Sequence, residues 1–557
     1  MKVSAQNPAL YEAMKKVMEQ SPGLISDGSR LKEIAGQLAA QGSREAALVA
    51  NANPAELAEI RNALLKDVFA KTAGVDRERL TGGKALKQQK PTVVIGGGSY
   101  SGMLAAMRTA MKGVNVVMLE SRPQHSRDIR LAVRQGMLDS LAAVDPELAQ
   151  RVMAKASRLA PEHMFTTTMQ ANGRTDTRQL PNYGTEGARA PDASKLPASG
   201  AELMNSAYTH VIIARELETV IEEFMREKFG DSITVLEGAL AVKPREDGNV
   251  DLLLEKSQKD GSRTTEDFLR GKKPLAVFAA EGSNSSTRRA LNIATGETTP
   301  VQYWIAGVVK TVDPEVPAGE ASLRVLYRNQ EVTNAEGAKE IVPTRAVAIS
   351  DGKEGTWLLT EMPPFMSPNP AQAQAEVNKI YCDCGSLVTG QSPEALAAAG
   401  LSGPFAKAGA VPTAFALQGR TAREASKVLP DGMVFGLLGD AVATSSFQAG
   451  GGMNTAINES DTVAALIDDL QRGVDPHQAA AKYQSEVFER GDAWSAAGIP
   501  FFYKRSSPEK TKELVALHLK AIADWRREGG DSPIKRLEAM LQQASVATEP
   551  LGPKLAA

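Results

Sequence analysis

The sequence is poor in cysteine and histidine, the side chains that most often build disulfides and transition-metal sites. Cys382 and Cys384 are the only cysteines among 557 residues, and their spacing is poor geometry for a mutual disulfide. The five histidines show no metal-ligand spacing. We therefore expect a reduced, cytoplasmic compartment and no metal site.

Charge of one sign and long apolar runs are also lacking. The 64 basic side chains are matched by 66 acidic ones, which argues against a general nucleic-acid or anionic-membrane surface. No stretch reaches the roughly 18 apolar residues of a membrane span. The first residues lack the apolar core of a signal peptide. The expected partners therefore include no nucleic acid, and we expect no membrane span.

What the chain does contain is a strand–helix–strand pattern that begins at Pro91. PTVVIGGG is typical of a buried parallel strand, a helical pattern follows, and VNVVMLE reads as a second strand. Residues 302–361 alternate apolar and polar side chains, which predicts an antiparallel sheet. Residues 161–205 are rich in glycine and proline, which predicts an irregular insert or lid.

Glycines and small residues occupy the turn between the first strand and its helix. Gly96, Gly98 and either Ser101 or Gly102 let backbone N–H groups approach a pyrophosphate at a helix N-terminus. Glu120 ends the second strand, where it can accept hydrogen bonds from ribose hydroxyls and would repel a 2′-phosphate. The pattern predicts an FAD or NAD site with the candidate residues Gly96, Gly97, Gly98, Ser99, Tyr100, Ser101, Gly102, Glu120, Ser121 and Arg122.

Three further motifs follow in order along the chain. The first of them, IRLAVRQGMLDSL, contains Arg130 and Arg134 and lies just after Arg127. The segment ARELE, which contains Arg215, follows further along the chain. FAAEGSNSSTRR ends a predicted strand at Glu281 and Gly282. The last motif ends a buried strand and opens a new helix, and its candidate residues are Gly439, Asp440, Gly451, Gly452, Met453 and Asn454.

Together the four motifs resemble those of the flavin-dependent aromatic hydroxylases of the p-hydroxybenzoate-hydroxylase type, with the MICAL oxidoreductases as more distant relatives. The resemblance covers about residues 92–470 and implies FAD as the cofactor. It implies that Arg130 binds the pyrophosphate, with Arg127 and Arg134 as nearby candidates, and that Arg215 lies near the cofactor. It also implies that Asp440 binds the ribityl chain and that the Gly451–Asn454 loop faces the flavin pyrimidine edge.

The implied architecture is an α/β fold in which a Rossmann-type FAD-binding domain with a parallel sheet is interleaved with a mostly antiparallel β substrate domain. We assign residues 91–160, 206–300 and 426–470 to the FAD-binding domain and residues 301–425 to the substrate domain. Helical additions are expected at both ends, in residues 1–90 and 471–557. For residues 1–90, a homo-oligomer interface, a partner-binding surface and a cover for the flavin domain remain alternatives.

The implied reaction is monooxygenation. NAD(P)H reduces FAD, O₂ yields a flavin C4a-hydroperoxide, and one oxygen passes to an aromatic or polyketide-like small molecule, so no catalytic side chain is predicted. The chain departs from the family pattern at Glu281, where aspartate is usual, and at Ala443 and Phe447-Gln448, where histidine and proline are common. These departures leave open an oxidase, dehydrogenase or cyclase, a MICAL-like protein oxidase, and a flavin-bound interaction module.

Several aromatic side chains are candidates for a substrate pocket, with ordinary core packing as the alternative for each. They are Tyr183 in the irregular insert and Tyr303, Trp304 and Trp357 in the predicted antiparallel sheet. The flavin halogenases are set aside because their Trp-x-Trp-x-Ile-Pro signature is absent.

Overall fold

A computed structural model of the chain describes residues 90–543 except 123–124, 170–173, 181–188, 259–260, 334–338, 362–380, 388, 399–412 and 504–507, together with a few isolated positions before residue 90. The chain divides into two compact units, Met1–Gln89 and Lys90–Ala557. The helices predicted for residues 1–90 and the candidate Tyr183 lie outside the described residues. Everything below concerns the second unit.

The strands of this unit belong to several sheets, and the chain passes repeatedly between a mainly parallel sheet and a mainly antiparallel one. In chain order they are β1 (Thr92–Gly96), β2 (Asn115–Glu120), β3 (Arg130–Arg134), β4 (Ser157–Met169), β5 (Thr175–Gln179), β6 (Tyr208–Ile213), β7 (Ile233–Glu237), β8 (Ala239–Pro244), β9 (Val250–Ser257), β10 (Arg263–Glu266), β11 (Ala276–Ala279), β12 (Thr295–Glu297), β13 (Gln302–Val309), β14 (Ala321–Thr333), β15 (Lys339–Ser350), β16 (Thr356–Glu361), β17 (Thr413–Leu417), β18 (Arg420–Ala422), β19 (Ser426–Val428), β20 (Val434–Leu437) and β21 (Ala443–Thr444).

The helices cover the parallel sheet and dominate the C-terminal part. They are α1 (Tyr100–Ala110), α2 (Gln135–Val144), α3 (Pro146–Lys155), α4 (Gly200–Asn205), α5 (Ala214–Phe229), α6 (Ser286–Ala290), α7 (Pro393–Ala398), α8 (Gly452–Asn458), α9 (Ser460–Gln471), α10 (Pro476–Gly498), α11 (Pro508–Glu528) and α12 (Pro533–Gln543). Searched across the described residues, these helices include none with the length and apolarity needed to cross a membrane.

The first sheet has the strand order β19-β20-β11-β1-β2-β7. All neighbours in it are parallel except the edge pair β19–β20. Its central strands are almost completely buried, as expected for a parallel sheet with helices packed on its faces. The strands predicted from PTVVIGGG and VNVVMLE and the buried strand predicted before Gly439 are thus confirmed, and their carboxyl ends meet at one edge.

The second sheet has the order β17-β13-β16-β15-β14-β4-β6-β3, with β5 added to β4. Its pairs are antiparallel except β14–β4. The antiparallel sheet predicted for residues 302–361 is therefore confirmed. One large apolar core supports the first sheet and two separate cores support the second. The α/β fold with parallel and antiparallel sheets agrees with the expected class.

The prediction of an irregular segment at residues 161–205 is wrong in its first part. Thirteen-residue β4 runs to Met169 and pairs with β14, β6 and β5. Most of the glycines and prolines that prompted the prediction follow Met169 in the sequence, so they do not oppose a strand at residues 157–169.

Candidate functional site

A cleft opens at the carboxyl edge of the first sheet. Strand register places Gly96 opposite both Leu119 and Ala279, and Ala279 opposite Leu437. The turns that follow β1, β2, β11 and β20 are therefore neighbours, although Gly96 and Asp440 are far apart in the chain. This edge is where ligands bind in open α/β sheets.

The cleft contains two cavities. The smaller, of about 430 Å³, is lined mainly by Gly97–Ser101, Leu119–Arg122, Ala280–Gly282 and Leu438–Asp440. The larger, of about 660 Å³, is lined by the Gly450–Asn454 loop and by side chains of the second sheet. Both cavities are lined by Tyr100, Arg127, Asp440 and Gly452, so they meet at these four residues.

The glycine-rich turn after β1 can be built only with glycine at two of its positions. Gly97 has φ +101°, and a Cβ there would overlap the carbonyl oxygen of Ala280. A Cβ on Gly102 would overlap the carbonyl oxygen of Gly97. Gly102 therefore serves the close packing of α1 on the turn, while Ser101 lines the smaller cavity. This arrangement presents the N-terminus of α1 to the smaller cavity.

Glu120 occupies the wall of the smaller cavity at the end of β2. Its carboxylate accepts hydrogen bonds from the backbone N–H groups of Gly98 at 2.8 Å and Arg122 at 2.7 Å, and from the Arg122 guanidinium. Burial alone would raise the pKa of Glu120, but the hydrogen bonds from Arg122 and Gly98 lower it below its ordinary value. Glu120 is therefore an ionised acceptor at the position predicted for a ribose.

The structure separates the predicted arginines into different environments. Arg127 lines both cavities at their junction, stacks 5.4 Å from the centre of the Tyr100 ring and pairs with fully buried Glu218. Arg130 is also buried, but its guanidinium donates to Asp351 at 2.8 Å. Of the two, Arg127 is the arginine at the smaller cavity.

Two of the predicted arginines lie away from the smaller cavity. Arg130 lines the larger cavity and is absent from the wall of the smaller one, where the pyrophosphate was expected. Arg215 pairs with Asp128 and Glu354 and lines neither cavity. The useful residue of the ARELE motif is Glu218, which holds Arg127. Sequence reasoning missed it because a glutamate on a helix is ordinarily a solvated side chain.

Glu281 lines the smaller cavity, but its carboxylate is occupied by the helix that follows. It accepts from the Ser285 hydroxyl at 2.6 Å and from the backbone N–H and hydroxyl of Thr287, both at 2.9 Å. Gly282 follows in the left-handed region with φ +79°. The longer side chain that replaces the usual aspartate therefore caps α6.

Asp440 is the carboxylate at the centre of the cleft. It follows Gly439, whose φ is +57°, and no described residue donates a hydrogen bond to it. Its side chain is open to the cleft while protein surrounds it elsewhere, and this burial raises its pKa to about 6 although Arg127 opposes the rise. A carboxylate held without a donor in a cleft is an acceptor prepared for a ligand hydroxyl or N–H.

A second buried carboxylate supports this turn and was missed from the sequence. Glu459 accepts a 2.7 Å hydrogen bond from the backbone N–H of Gly439. Burial raises its pKa to about 7, against the opposing effects of that bond and of Arg490. Its only sequence signal is a glutamate just after the Met453-Asn454 helix start.

The loop before α8 forms the floor of the larger cavity. Gly450, with φ +57°, lies against the Tyr208 hydroxyl, and a Cβ on Gly451 would overlap the Trp494 ring. Asn454 donates from Nδ2 to the Gly450 carbonyl at 2.5 Å. A helix leaves its first N–H groups without intrahelical acceptors, so the start of α8 presents donors where Gly451, Gly452, Met453 and Asn454 line the cavity.

The opposite walls of the larger cavity are apolar and aromatic. Tyr303, Trp357 and Phe447 line it together with several aliphatic side chains. The Trp357 indole N–H has no acceptor among the described residues. Trp304, by contrast, is fully buried behind the wall, 5.0 Å from the Phe447 ring, so the pocket role considered for it is not supported. Buried Ala443 replaces the family histidine without adding a polar group.

Other candidate side chains have structural surroundings. His125 bonds to Glu222 at 2.8 Å, outside both cavities. Cys382 and Cys384 are buried free thiols. No group of three or more metal-ligating side chains occurs in the part of the chain that the structure describes.

Comparison with known proteins finds a matching family model. Residues 90–351, just under half of the chain, match the model described as an FAD binding domain. This match agrees with the resemblance to the flavin-dependent aromatic hydroxylases and with FAD as the cofactor. The protein is an FAD-dependent oxidoreductase. No curated protein matches the chain.

Several solved structures resemble this chain. The flavin-dependent brominase Bmp2 has a TM-score of 0.50 at 15% identity, with 82% of this chain and 99% of that chain covered. The p-nitrophenol 4-monooxygenase PnpA from Pseudomonas putida DLL-E4 has a TM-score of 0.49 at 16% identity, with 84% of this chain and 99% of that chain covered. The 2-methyl-3-hydroxypyridine-5-carboxylic acid oxygenase has a TM-score of 0.47 at 12% identity, with 79% of this chain and 94% of that chain covered. At such identity the Bmp2 likeness shows the fold and nothing about the reaction.

Proposed function

We propose that the protein is an FAD-dependent monooxygenase that uses NAD(P)H and O₂ to hydroxylate or oxidise an aromatic or polyketide-like small molecule. The observation that supports this most is the pair of connected cavities. A polar cavity built from dinucleotide-binding turns opens, at Tyr100, Arg127, Asp440 and Gly452, into a larger cavity with aromatic walls.

The donors and acceptors of the cleft fit FAD. Ionised Glu120 suits the adenosine ribose, and the α1 N-terminus with Arg127 suits the pyrophosphate. Asp440, which no described residue contacts as a donor, suits a ribityl hydroxyl. We assign cofactor binding to Gly97, Gly98, Ser99, Tyr100, Ser101, Glu120, Ser121, Arg122, Arg127, Glu281, Gly282, Gly439, Asp440, Gly451, Gly452, Met453 and Asn454, with Gly96 and Gly102 shaping the first turn.

The protein's contribution to the reaction is then binding, orientation and exclusion of water, while bound FAD supplies the hydride acceptance and the activation of O₂. Gly451, Gly452 and Met453 place helix-start donors on the floor of the larger cavity. Tyr303 and Trp357 form walls on which a planar ring can stack. A cavity with aromatic walls of this kind suits an aromatic substrate beside the isoalloxazine ring.

The decisive experiment is oxygen-isotope labelling with the purified, FAD-loaded protein. A panel of substituted phenols and polycyclic phenols is incubated with NADH or NADPH under ¹⁸O₂, and products are analysed by mass spectrometry. Ligand-stimulated consumption of NAD(P)H with one ¹⁸O atom in the product supports monooxygenation. A yellow holoenzyme that consumes NAD(P)H at the same rate with and without every phenol, and labels none, contradicts it.

A second candidate is FAD-dependent oxidation without oxygen insertion. The observation that favours it is Glu281, whose carboxylate caps α6 in place of the shorter side chain usual at a position thought to serve nicotinamide binding as well as FAD. In the same experiment this function gives an oxidised, unlabelled product that accumulates as FAD is bleached. The choice between NADH and NADPH, the substrate and a cytoplasmic location stay predictions.

A further inference from the structure

Arg134 lies at the end of β3, next to the larger cavity, and only 3% of it is exposed. Its guanidinium donates to the Ser206 carbonyl at 2.7 Å, the Tyr208 hydroxyl at 2.8 Å and the Ala449 carbonyl at 2.9 Å. Its Nε has no acceptor. Every partner is a neutral group, so this buried positive charge has no neutralising carboxylate within the described residues.

Three other buried arginines among the described residues each pair with a carboxylate. Arg130 pairs with Asp351, Arg324 with Asp313, and Arg345 with Glu361. Arg288, also buried, forms no ion pair among the described residues and donates to two carbonyls; burial and the charges of Arg289 and Arg420 lower its pKa, against a smaller opposing effect of Glu281. Burying an unpaired charge is costly, so Arg134, beside the larger cavity, is suited to a compensating negative charge that no described residue supplies.

Arg134 contacts residues at the floor of the larger cavity. Its guanidinium stacks 4.1 Å from the centre of the Tyr208 ring, and the Tyr208 hydroxyl donates to the Ala449 carbonyl at 3.0 Å. Its backbone N–H donates to Asn454 Oδ1 at 3.1 Å, and Asn454 in turn bonds Gly450. Arg134 thus contacts both ends of this loop, Ala449 through its side chain and Asn454 through its backbone N–H.

We propose that Arg134 is a positioning residue which orients this loop and whose buried charge favours reduced over oxidised FAD. The inference rests on the proposed function. Hydride transfer from NAD(P)H carries two electrons and one proton, leaves NAD(P)⁺, and adds one negative charge to the bound cofactor. The charge of Arg134 acts on that added charge through protein rather than water, where screening is weak. This role differs from the pyrophosphate contact considered for Arg134 from the sequence.

The test is the midpoint potential of FAD in the reconstituted full-length protein, measured against a reference dye. Arg134→Met is expected to weaken binding of reduced FAD about tenfold relative to oxidised FAD, which lowers the potential by about 30 mV. Arg134→Lys, which keeps the charge, is expected to stay near the wild-type potential. Arg178→Met, at an exposed arginine of β5, makes the same change in net charge and is expected to have no effect.

A purely structural role predicts a different result, namely equal loss of affinity for oxidised and reduced FAD and an unchanged potential in Arg134→Met. That result overturns the inference. If Arg134→Met does not fold, the wild type decides the matter, because the proposal requires the potential of bound FAD to lie above that of free FAD in the same cell. Failure of the wild type to bind FAD would refute the proposed function, whereas bound FAD with an unaltered potential refutes only the role of Arg134.

Discussion

The two cavities of the cleft are assembled in different ways. The smaller one is built from turns that each follow directly on a strand of the parallel sheet, and much of it comes from the single βαβ unit of residues 92–120. The larger one combines seven strands of the second sheet, including β3 and β6, with the start of α8 and Trp494 from α10. The first is a local structure repeated at a sheet edge, while the second exists only when distant segments pack together.

Substitutions at the two cavities are therefore expected to have different effects. Changes at the smaller cavity should act on cofactor binding through backbone geometry. Changes at the larger cavity should act on the substrate and leave the affinity for FAD nearly intact. Residues shared by both cavities, above all Asp440, should show whether the two behave as one site.

The largest effect is expected from Gly102→Val. Its Cβ would meet the backbone carbonyl of Gly97, which cannot move without distorting the turn, so we expect FAD affinity to fall by about 100-fold, equivalent to about 3 kcal/mol. Fluorescence titration of FAD measures this. Met111→Ala, at the exposed end of the same helix, is the control and should bind normally. Wild-type affinity in Gly102→Val would show that the turn does not depend on this close approach.

Glu459→Gln is expected to change how stability depends on pH. Burial raises the pKa of Glu459 to about 7, so its stabilising contribution is full below the unfolded value near 4.5 and is lost as pH rises through 7. The glutamine still accepts from Gly439 and stays neutral. We expect the cofactor-free variant to be more stable than wild type at pH 8, by up to about 3 kcal/mol, and similar at pH 4.5. Urea titrations at both pH values measure this, and equal stability at pH 8 would contradict it.

Asp440→Asn is expected to weaken FAD binding about tenfold, since a hydrogen bond to a charged group contributes about 1.5–3 kcal/mol. Because burial raises the pKa of Asp440 to about 6, wild-type affinity should decline as pH falls through 6, whereas the variant should show a flatter profile. Asp176→Asn, at an exposed carboxylate of β5, serves as the control. A wild-type affinity that is constant between pH 5 and pH 7.5 would argue against a ligand contact.

The smallest effect is expected at the far wall of the larger cavity. Trp357→Phe keeps an aromatic surface but removes an indole N–H that has no acceptor in the described structure. We expect the KM for an aromatic substrate to change a few-fold, equivalent to about 1 kcal/mol, with the FAD dissociation constant unchanged. Steady-state kinetics and FAD titration on one preparation measure both quantities. A matching loss in FAD affinity would mean that the two cavities are not separable.

Much of the smaller cavity could be predicted because its signals are local. The geometry of a single βαβ unit requires glycine at positions 97 and 102 and an acid at the end of β2. These residues lie close together in the sequence, so the pattern can be recognised without the tertiary structure. The arginines could not be sorted in this way. Arg127, Arg130 and Arg134 lie within eight residues of one another, and their different partners come from α5, the turn after β15 and the loop before α8.

The sequence by itself determined the βαβ unit, the alternation that forms the antiparallel sheet, and the order of motifs that indicates FAD, because each depends on periodicity or on backbone constraints within a short stretch. Only the tertiary structure decided which arginine reaches the cleft, that Trp304 lies behind the wall, and that Glu218 and Glu459 support the site. The physical reason is that burial and charge pairing depend on which segments meet in space, and residues adjacent in the chain can face entirely different surroundings.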